Sequence, residues 1–459
     1  MYRSSVRQRA QLGLIRWQGF TVGMFAQELL NDGVKKREVF GWSMYDFANS
    51  GYTTVVLTAV YNAYFVSVIA ENSPSATLLW TSLIALSSLI VMLAMPAIGA
   101  YADRHAAKKR LLAISTVGCV LTTIGLGLAG QGQMWAAALA VVLSNMFYSF
   151  GESLIASFLP ELARRDALGR VSGWGWAFGY FGGMLSLGLS LAYVLHAQAA
   201  GLPATEFVPV AMYITAAVYA LAALPTFLLL RERAQPSDSS VVQSAGGLSA
   251  LWSSWQRAHA YPDFLRLLAC GTSYQAGISV VIALAAVYAE QTLGFAQAQT
   301  MALVFIVNIA SAVGAFGFGY FEDRIGHKRA LSHTLVGWMV MVLLAYAASN
   351  QAMFWVAAVI AGLCMGSSQS CGRALAASFA PPAFVAEFFG LWTVATRLAA
   401  IIGPLTYGLV TWLTDGNHRL AILSTGSFFV IGWLLLRGID MRRGVAAADA
   451  HLVAAVRPD

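Results

Sequence analysis

The chain has 459 residues, of which 58% are hydrophobic and 11% charged, whereas soluble domains carry about 25% charged residues. This composition excludes a soluble enzyme or binding domain and points to a polytopic membrane protein. A net charge of +7 would suit a nucleic-acid binder, but the positions of the basic residues along the chain exclude that reading.

Residues 1–40 are basic and carry Leu12, Ile15, Val22, Phe25 and Leu29 at helical spacing. The spacing predicts an amphipathic helix on the inner membrane surface, with a disordered segment as the alternative. Arg16 and Gln18 interrupt the apolar run, so a cleaved signal peptide is not expected. Apolar runs of about 20 residues, the length a helix needs to cross a bilayer, then follow near 41–70, 77–101, 111–130, 134–158, 171–196 and 207–230, and again near 264–290, 298–321, 330–349, 352–378, 387–414 and 418–436. Between the two sets lies the polar stretch 232–262, containing AQPSDSSVVQSAGG, which reads as a linker between a first half (41–231) and a second half (263–437), with a tail at 438–459. Lys and Arg crowd the head, the tail and alternate connections, while the opposite connections hold Arg419, and Arg373 and Arg397 lie inside runs. Cytoplasmic loops keep such an excess, so both ends are expected in the cytoplasm, with the protein in the cell (inner) membrane. Cys119, Cys270, Cys364 and Cys371 lie in apolar runs and no His/Cys cluster has metal spacing. No disulfide, metal or cofactor is therefore expected.

Several runs carry polar groups that an inert span would avoid. An ionisable residue inside a membrane costs roughly 2.5 to 3.5 kcal/mol on insertion scales, so a buried partner or a functional site is the default reading. Run 1 holds Tyr45, Asp46, Asn49, Ser50 and Thr53, the last four at i, i+3, i+4 and i+7, a stripe expected to face a central cavity. Asp46 is about five residues inside the run, roughly 7.5 Å at 1.5 Å per residue, and either caps the positive end of its helix or acts in transport. Asn49 and Thr53, nearer the midplane, are the better substrate contacts. Run 4 repeats the spacing with Asn145, Tyr148, Ser149 and Glu152. Its serine reads as interhelical glue, whereas Glu152 needs a partner or a proton. Run 10 supplies Gln369 and Arg373, and run 11 Arg397. In run 5, Gly175, Gly179 and Gly183 read as close helix packing, and Trp174 and Trp176 as interfacial anchors or cavity lining.

The two halves echo one another. GAYADRHAAKKRLL and GYFEDRIGHKRAL place Asp103 and Asp323 at an offset of 220, and GESLIASFLP (151–160) matches GRALAASFAP (372–381) at 221. Parallel six-span repeats mark an all-α major facilitator fold, twelve transmembrane helices in two pseudo-symmetric six-helix halves. Glu152 and Arg373 occupy matching positions with opposite charge. This predicts an ion pair between them that closes the cytoplasmic side; the alternative leaves each charge within its own half, Glu152 on an arginine such as Arg164.

GWSMYDFANSGY (41–52), FLPELARRDALGRVSGWGWAFGYFGG (158–183), and GSSQSCGRALAASFAP with EFFGLW (387–392) resemble the unknown-major-facilitator branch, which includes the autophagy-related vacuolar effluxers of fungi. The resemblance runs from about Glu38 to the last span. It implies twelve spans, no nucleotide hydrolysis and, for the fungal members, release of amino acids from the vacuole lumen. It also implies that Asp103 with Arg104, and Asp323 with Arg324, latch neighbouring helices on the cytoplasmic side. Where the branch usually continues QS with Ser-Arg-Ser, this chain has Cys371, Gly372, Arg373 and Ala374, which changes the hydrogen bonding around the arginine.

The expected function is alternating-access transport of a small polar metabolite, an amino acid or similar zwitterion. Arg397 would attract the carboxylate, Asn49, Thr53, Asn145 and Gln369 would supply hydrogen bonds, and Asp46 or Glu152 would carry protons if these are the coupling ion. An exporter of drugs or other amphiphiles is the alternative substrate class. A non-transporting receptor or scaffold would keep the helices without needing buried charges on facing spans, and a membrane enzyme would need a nucleophile or metal constellation that is not visible. The expected partners are the solute and the lipid bilayer, with the protein a monomer.

Overall fold

The computed structural model describes residues 24–71, 73, 75–236 and 248–456. Among them, twelve helical segments are long and apolar enough to cross a membrane. Spans 1–6 are Lys36–Ile69, Ala76–His105, Lys108–Leu128, Met134–Leu162, Arg165–Ala199 and Ala204–Leu229; spans 7–12 are Pro262–Ala285, Ala302–Ile325, His327–Ala347, Gln351–Phe379, Pro382–Leu413 and His418–Arg437. The fold is the all-α major facilitator architecture. Of the predicted N-terminal amphipathic helix, Leu12, Ile15 and Val22 lie outside the described residues, whereas Phe25 has φ 59° and Leu29 ends the three-residue 3-10 turn Gln27–Leu29, so the helix does not run through these two.

Span 1 begins five residues before the apolar run does and is not a regular helix. Thr53–Ala59 and Phe65–Ile69 are π-helical; the Val60 amide donates to the Val55 carbonyl at 2.9 Å and Ala70 to Phe65 at 2.8 Å, one residue further back than in an α-helix. The β-branched run Thr53, Thr54, Val55, Val56 crowds the preceding turn. Such widened turns recur at functional sites.

Two stretches read as linker and tail contain helices. Leu248–Ala258 turns Ser254 and Ala258 inward and leaves Trp252 and Trp255 exposed, and its Arg257 Nε donates to Glu387 of span 11 at 3.1 Å. The tail helix Met441–Val456 is held by Arg443 on Asp263 at 2.6 Å. It also reaches the first half, where Arg165 donates to both oxygens of Asp449 at 2.7 and 2.5 Å. Nearby, the Glu232 carboxylate accepts the amides of Lys108 (2.6 Å) and Lys109 (3.1 Å) at the start of span 3. Burial holds its carboxyl above the usual carboxylate range.

The linker helix, the tail helix and the basic connections share one face, called the basic face below. Close approach between the halves occurs on this side. A methyl group added to Gly99 of span 2 would meet the carbonyl of Ala386, and one added to Gly173 of span 5 would meet that of Ala315. Among the described residues, the hydrogen bonds that cross between halves all lie between the middle of the bundle and this face.

Candidate functional site

Two crossed helix caps form the outer layer of the contact. Asp103 accepts the amides of Ala386 (3.0 Å) and Glu387 (2.9 Å), the second and third residues of the helix Val385–Leu413. Asp323 accepts those of Gly169 (2.9 Å) and Arg170 (3.2 Å), the second and third residues of the helix Leu168–Ala199. A helix start offers unsatisfied N–H groups and a partial positive charge, so each half supplies one carboxylate and one helix end to the other. Buried Lys108 backs Asp103 at 3.5 Å and donates to Glu161 at 2.9 Å. Arg170 Nε adds a 2.6 Å contact to Asp323, beside a Glu322–His327 contact of 2.7 Å. Arg104 and Arg324 are exposed on the same face.

Two ion pairs lie deeper, and their partners differ from the expected one. Arg373 Nη1 donates to Asp46 at 2.6 Å, and Arg397 Nη2 donates to Glu152 at 2.6 Å. The predicted Glu152–Arg373 pair is therefore not formed. The reason is which spans touch: span 10 lies against span 5, where Ser172 Oγ donates to the Ser370 carbonyl, while span 11 lies against span 4, where Thr393 Oγ1 meets Ser153 Oγ at 2.9 Å. Arg373 consequently points into the first half between spans 1 and 5, and Glu152 meets span 11. Both pairs still join an acid of the first half to a base of the second.

The two pairs have different surroundings. Asp46 and Arg373 expose 12% and 7% of their side chains. Arg373 also donates from Nε to Ser172 Oγ (3.0 Å) and from Nη2 to the Ser172 carbonyl (2.7 Å), and its guanidinium carbon is 4.6 Å from the Trp42 ring centroid and 5.4 Å from that of Trp176. Gly175 makes room for this arrangement, since a methyl there would run into Asp46, Arg373 and Trp42. By contrast Glu152 exposes 40% of its side chain and Arg397 16%. Arg397 lies 5.7 Å from the Tyr148 ring centroid, and its Nε has no hydrogen-bond partner.

The polar stripes divide between core and cleft. Tyr45 and Asn49 are buried within the first half, with Tyr45 on Thr116 (3.0 Å) and Asn49 accepting from Tyr219 (2.6 Å). Asn145 is buried on Ser87 at 2.6 Å. These three are joints between helices of one half, which corrects the expectation that they face the cavity. Ser50 and Thr53 are partly exposed, and Thr53 Oγ1 donates to the Ser50 carbonyl at 3.1 Å. Tyr148 stacks on Tyr52 with ring centroids 5.2 Å apart. Gln369 accepts from Gln275 at 2.8 Å, a span 7 residue that the sequence reading missed. Trp174 is fully buried against Phe25, so it is no interfacial anchor.

Residues 62–449 match the family described as vacuole effluxer Atg22 like, most of the chain. The chain belongs to this family. It is 26% identical over 402 residues to the uncharacterized MFS-type transporter YxiO of Bacillus subtilis (strain 168), covering 86% of this chain and 93% of that protein. It is 22% identical over 368 residues to autophagy-related protein 22 of Kluyveromyces lactis, covering 73% of each. Among solved structures, the human organic anion transporter MFSD10 has a TM-score of 0.69 at 16% identity, with 87% of this chain and 99% of that one covered. A bacterial homologue of the iron transporter ferroportin in the outward-facing state has 0.67 at 12%, with 87% and 98% covered; these likenesses show the fold. The Atg22-like match begins beyond Asp46, so the acid of the more buried pair lies outside the matched region.

Proposed function

We propose that the protein is a secondary transporter of a small zwitterionic solute of the amino-acid class, working by alternating access with its basic face in the cytoplasm. The observation that carries this reading is the Glu152–Arg397 pair. It joins facing halves, is the more exposed of the two pairs, and keeps the Arg397 Nε free for another acceptor. A zwitterion fits by exchange: its carboxylate takes the Arg397 fork, its ammonium takes Glu152, and the gap between the halves closes over it. Ser50, Thr53 and Gln369 are the partly exposed uncharged hydrogen-bonding groups among the expected pathway residues. Glu152, the more exposed of the two acids, is the proton carrier in this reading, and Asp46 pairs with Arg373 across the halves.

Counterflow of labelled amino acids in proteoliposomes tests it. Glu152→Arg and Arg397→Glu should each abolish counterflow and the double variant should recover part of it. A double variant no better than the singles, at equal reconstitution, removes the shared site. Uptake unaffected by an imposed pH gradient removes proton coupling and leaves facilitated diffusion.

A further inference from the structure

The receptacle around Arg373 belongs to the half opposite its occupant. Trp42 and Asp46 come from span 1, and Ser172, Gly175 and Trp176 from span 5, whereas Arg373 arrives from span 10. Its acceptors meet all three guanidinium nitrogens, at 2.6, 2.7 and 3.0 Å, and two indoles lie beside the cation. A guanidinium is planar, weakly hydrated and forked, and stacks on aromatic faces while donating at its edge. The cage matches each of these properties. A compact ammonium would present neither a plane to the indoles nor a fork to Asp46 and the two Ser172 oxygens.

Any opening of the basic face must part spans 5 and 10, and then Arg373 travels with one half and the cage with the other. We infer that in the inward-open state the vacated cage binds the guanidinium of a small solute, and that Arg373 is a tethered competitor that displaces it as the inner side closes. The substrate class is thereby narrowed to guanidino compounds of the arginine type, entering or leaving on the basic side. The inference rests on the alternating-access reading but not on the Glu152–Arg397 site.

Chemical rescue tests it directly. Arg373→Ala leaves the cage vacant in every state, so ethylguanidine should raise the melting temperature saturably and restore about half of what the substitution loses, as expected of a ligand that binds only the folded protein. Ethylammonium at the same concentration should not, and rescue should vanish in Arg373→Ala combined with Trp176→Ala. Should Arg373→Ala fail to fold, an intact cage serves instead. Ser153, buried where it bonds the Phe389 carbonyl across the halves, becomes reachable only on inner opening, and the four native cysteines are buried. Arginine should give a labelling rate of Ser153→Cys about threefold above that with citrulline, which has the same zwitterionic backbone and an uncharged side chain, a difference of roughly 0.65 kcal/mol in the opening equilibrium. Equal effects of ethylguanidine and ethylammonium, or of arginine and citrulline, overturn the cage. Amino-acid counterflow without any guanidinium effect retires the cage alone; guanidinium effects in both assays without counterflow of neutral amino acids retire the Glu152–Arg397 zwitterion site alone.

Discussion

Asp46 and Arg373 are separated by 327 positions in the chain and by 2.6 Å in space. They close the basic side of the bundle from within. Removing one partner of a buried pair costs about 3 to 5 kcal/mol, and conformational states of one protein differ by only a few. Asp46→Asn should therefore shift the population toward a state open on the basic face and speed labelling of Ser153→Cys by at least about tenfold, the equivalent of about 1.4 kcal/mol. An unchanged rate would mean that the pair does not hold the basic face closed.

Gly175→Ala should give the same phenotype without touching a charge. The added methyl would lie 2.6 Å from Arg373 Nη2 and 2.7 Å from Trp42 Cζ3, so the cage must deform. Gly188 of the same span has open space around it, and Gly188→Ala should leave labelling unaltered and add up to about 1 kcal/mol of helix stability. Thermal melting and labelling of both variants separate crowding at the cage from a general effect of losing glycine.

Asp103→Asn and Asp323→Asn each remove a charge from a helix start in the other half, at a cost of about 1 to 2 kcal/mol. The two should be of similar severity, because Asp103→Asn also weakens the surroundings of buried Lys108 and Asp323→Asn the 2.6 Å contact with Arg170. The two caps share no residue, so the double variant should show the sum of the single effects within about 0.5 kcal/mol. Labelling from the basic face in the two singles and the double checks both statements.

Ala106 has φ 47° at the end of span 2, whereas the repeat position 220 residues later is Gly326 with φ 91°. A left-handed alanine costs roughly 1 to 2 kcal/mol, which glycine relieves in part. Ala106→Gly should raise the melting temperature with transport unchanged; a lower melting temperature would show that the Ala106 methyl contributes more than its backbone strain costs.

The twelve spans and the duplicated halves were legible because hydropathy and spacing act locally. So was the demand of Asp46, Glu152, Arg373 and Arg397 for partners. Their pairing was not legible, since it depends on which helix faces which: Arg373 points toward span 5, and Glu152 toward span 11. Asn49 and Asn145 were misplaced for a related reason. A polar stripe in an apolar helix meets its need equally well on Tyr219 or Ser87 of a neighbouring helix as on a solute. The glycines of GWGWAFGYFGG signalled close packing correctly, but only Gly175 packs against a buried charge pair. The linker and tail helices went unread because short segments outside apolar runs carry little hydropathy signal.

The two kinds of contact between halves obey different symmetries. The caps are reciprocal, carboxylate to helix start in both directions, and two copies of one half could in principle cap each other. The two deeper ion pairs are one-sided, because both of their acids belong to the first half and both of their bases to the second, whereas nearer the basic face Arg170–Asp323 and Arg165–Asp449 run the other way. At the 221 offset the first half carries Glu152 where the second has Arg373, and Trp176 where the second has Arg397. Two first halves brought face to face would set Asp46 against Glu152 and repel, and two second halves would crowd their arginines without a counter-ion. Whatever ancestral duplication produced this chain, its descendants have diverged past self-pairing: split at the linker and expressed as separate polypeptides, the halves should assemble only as unlike partners.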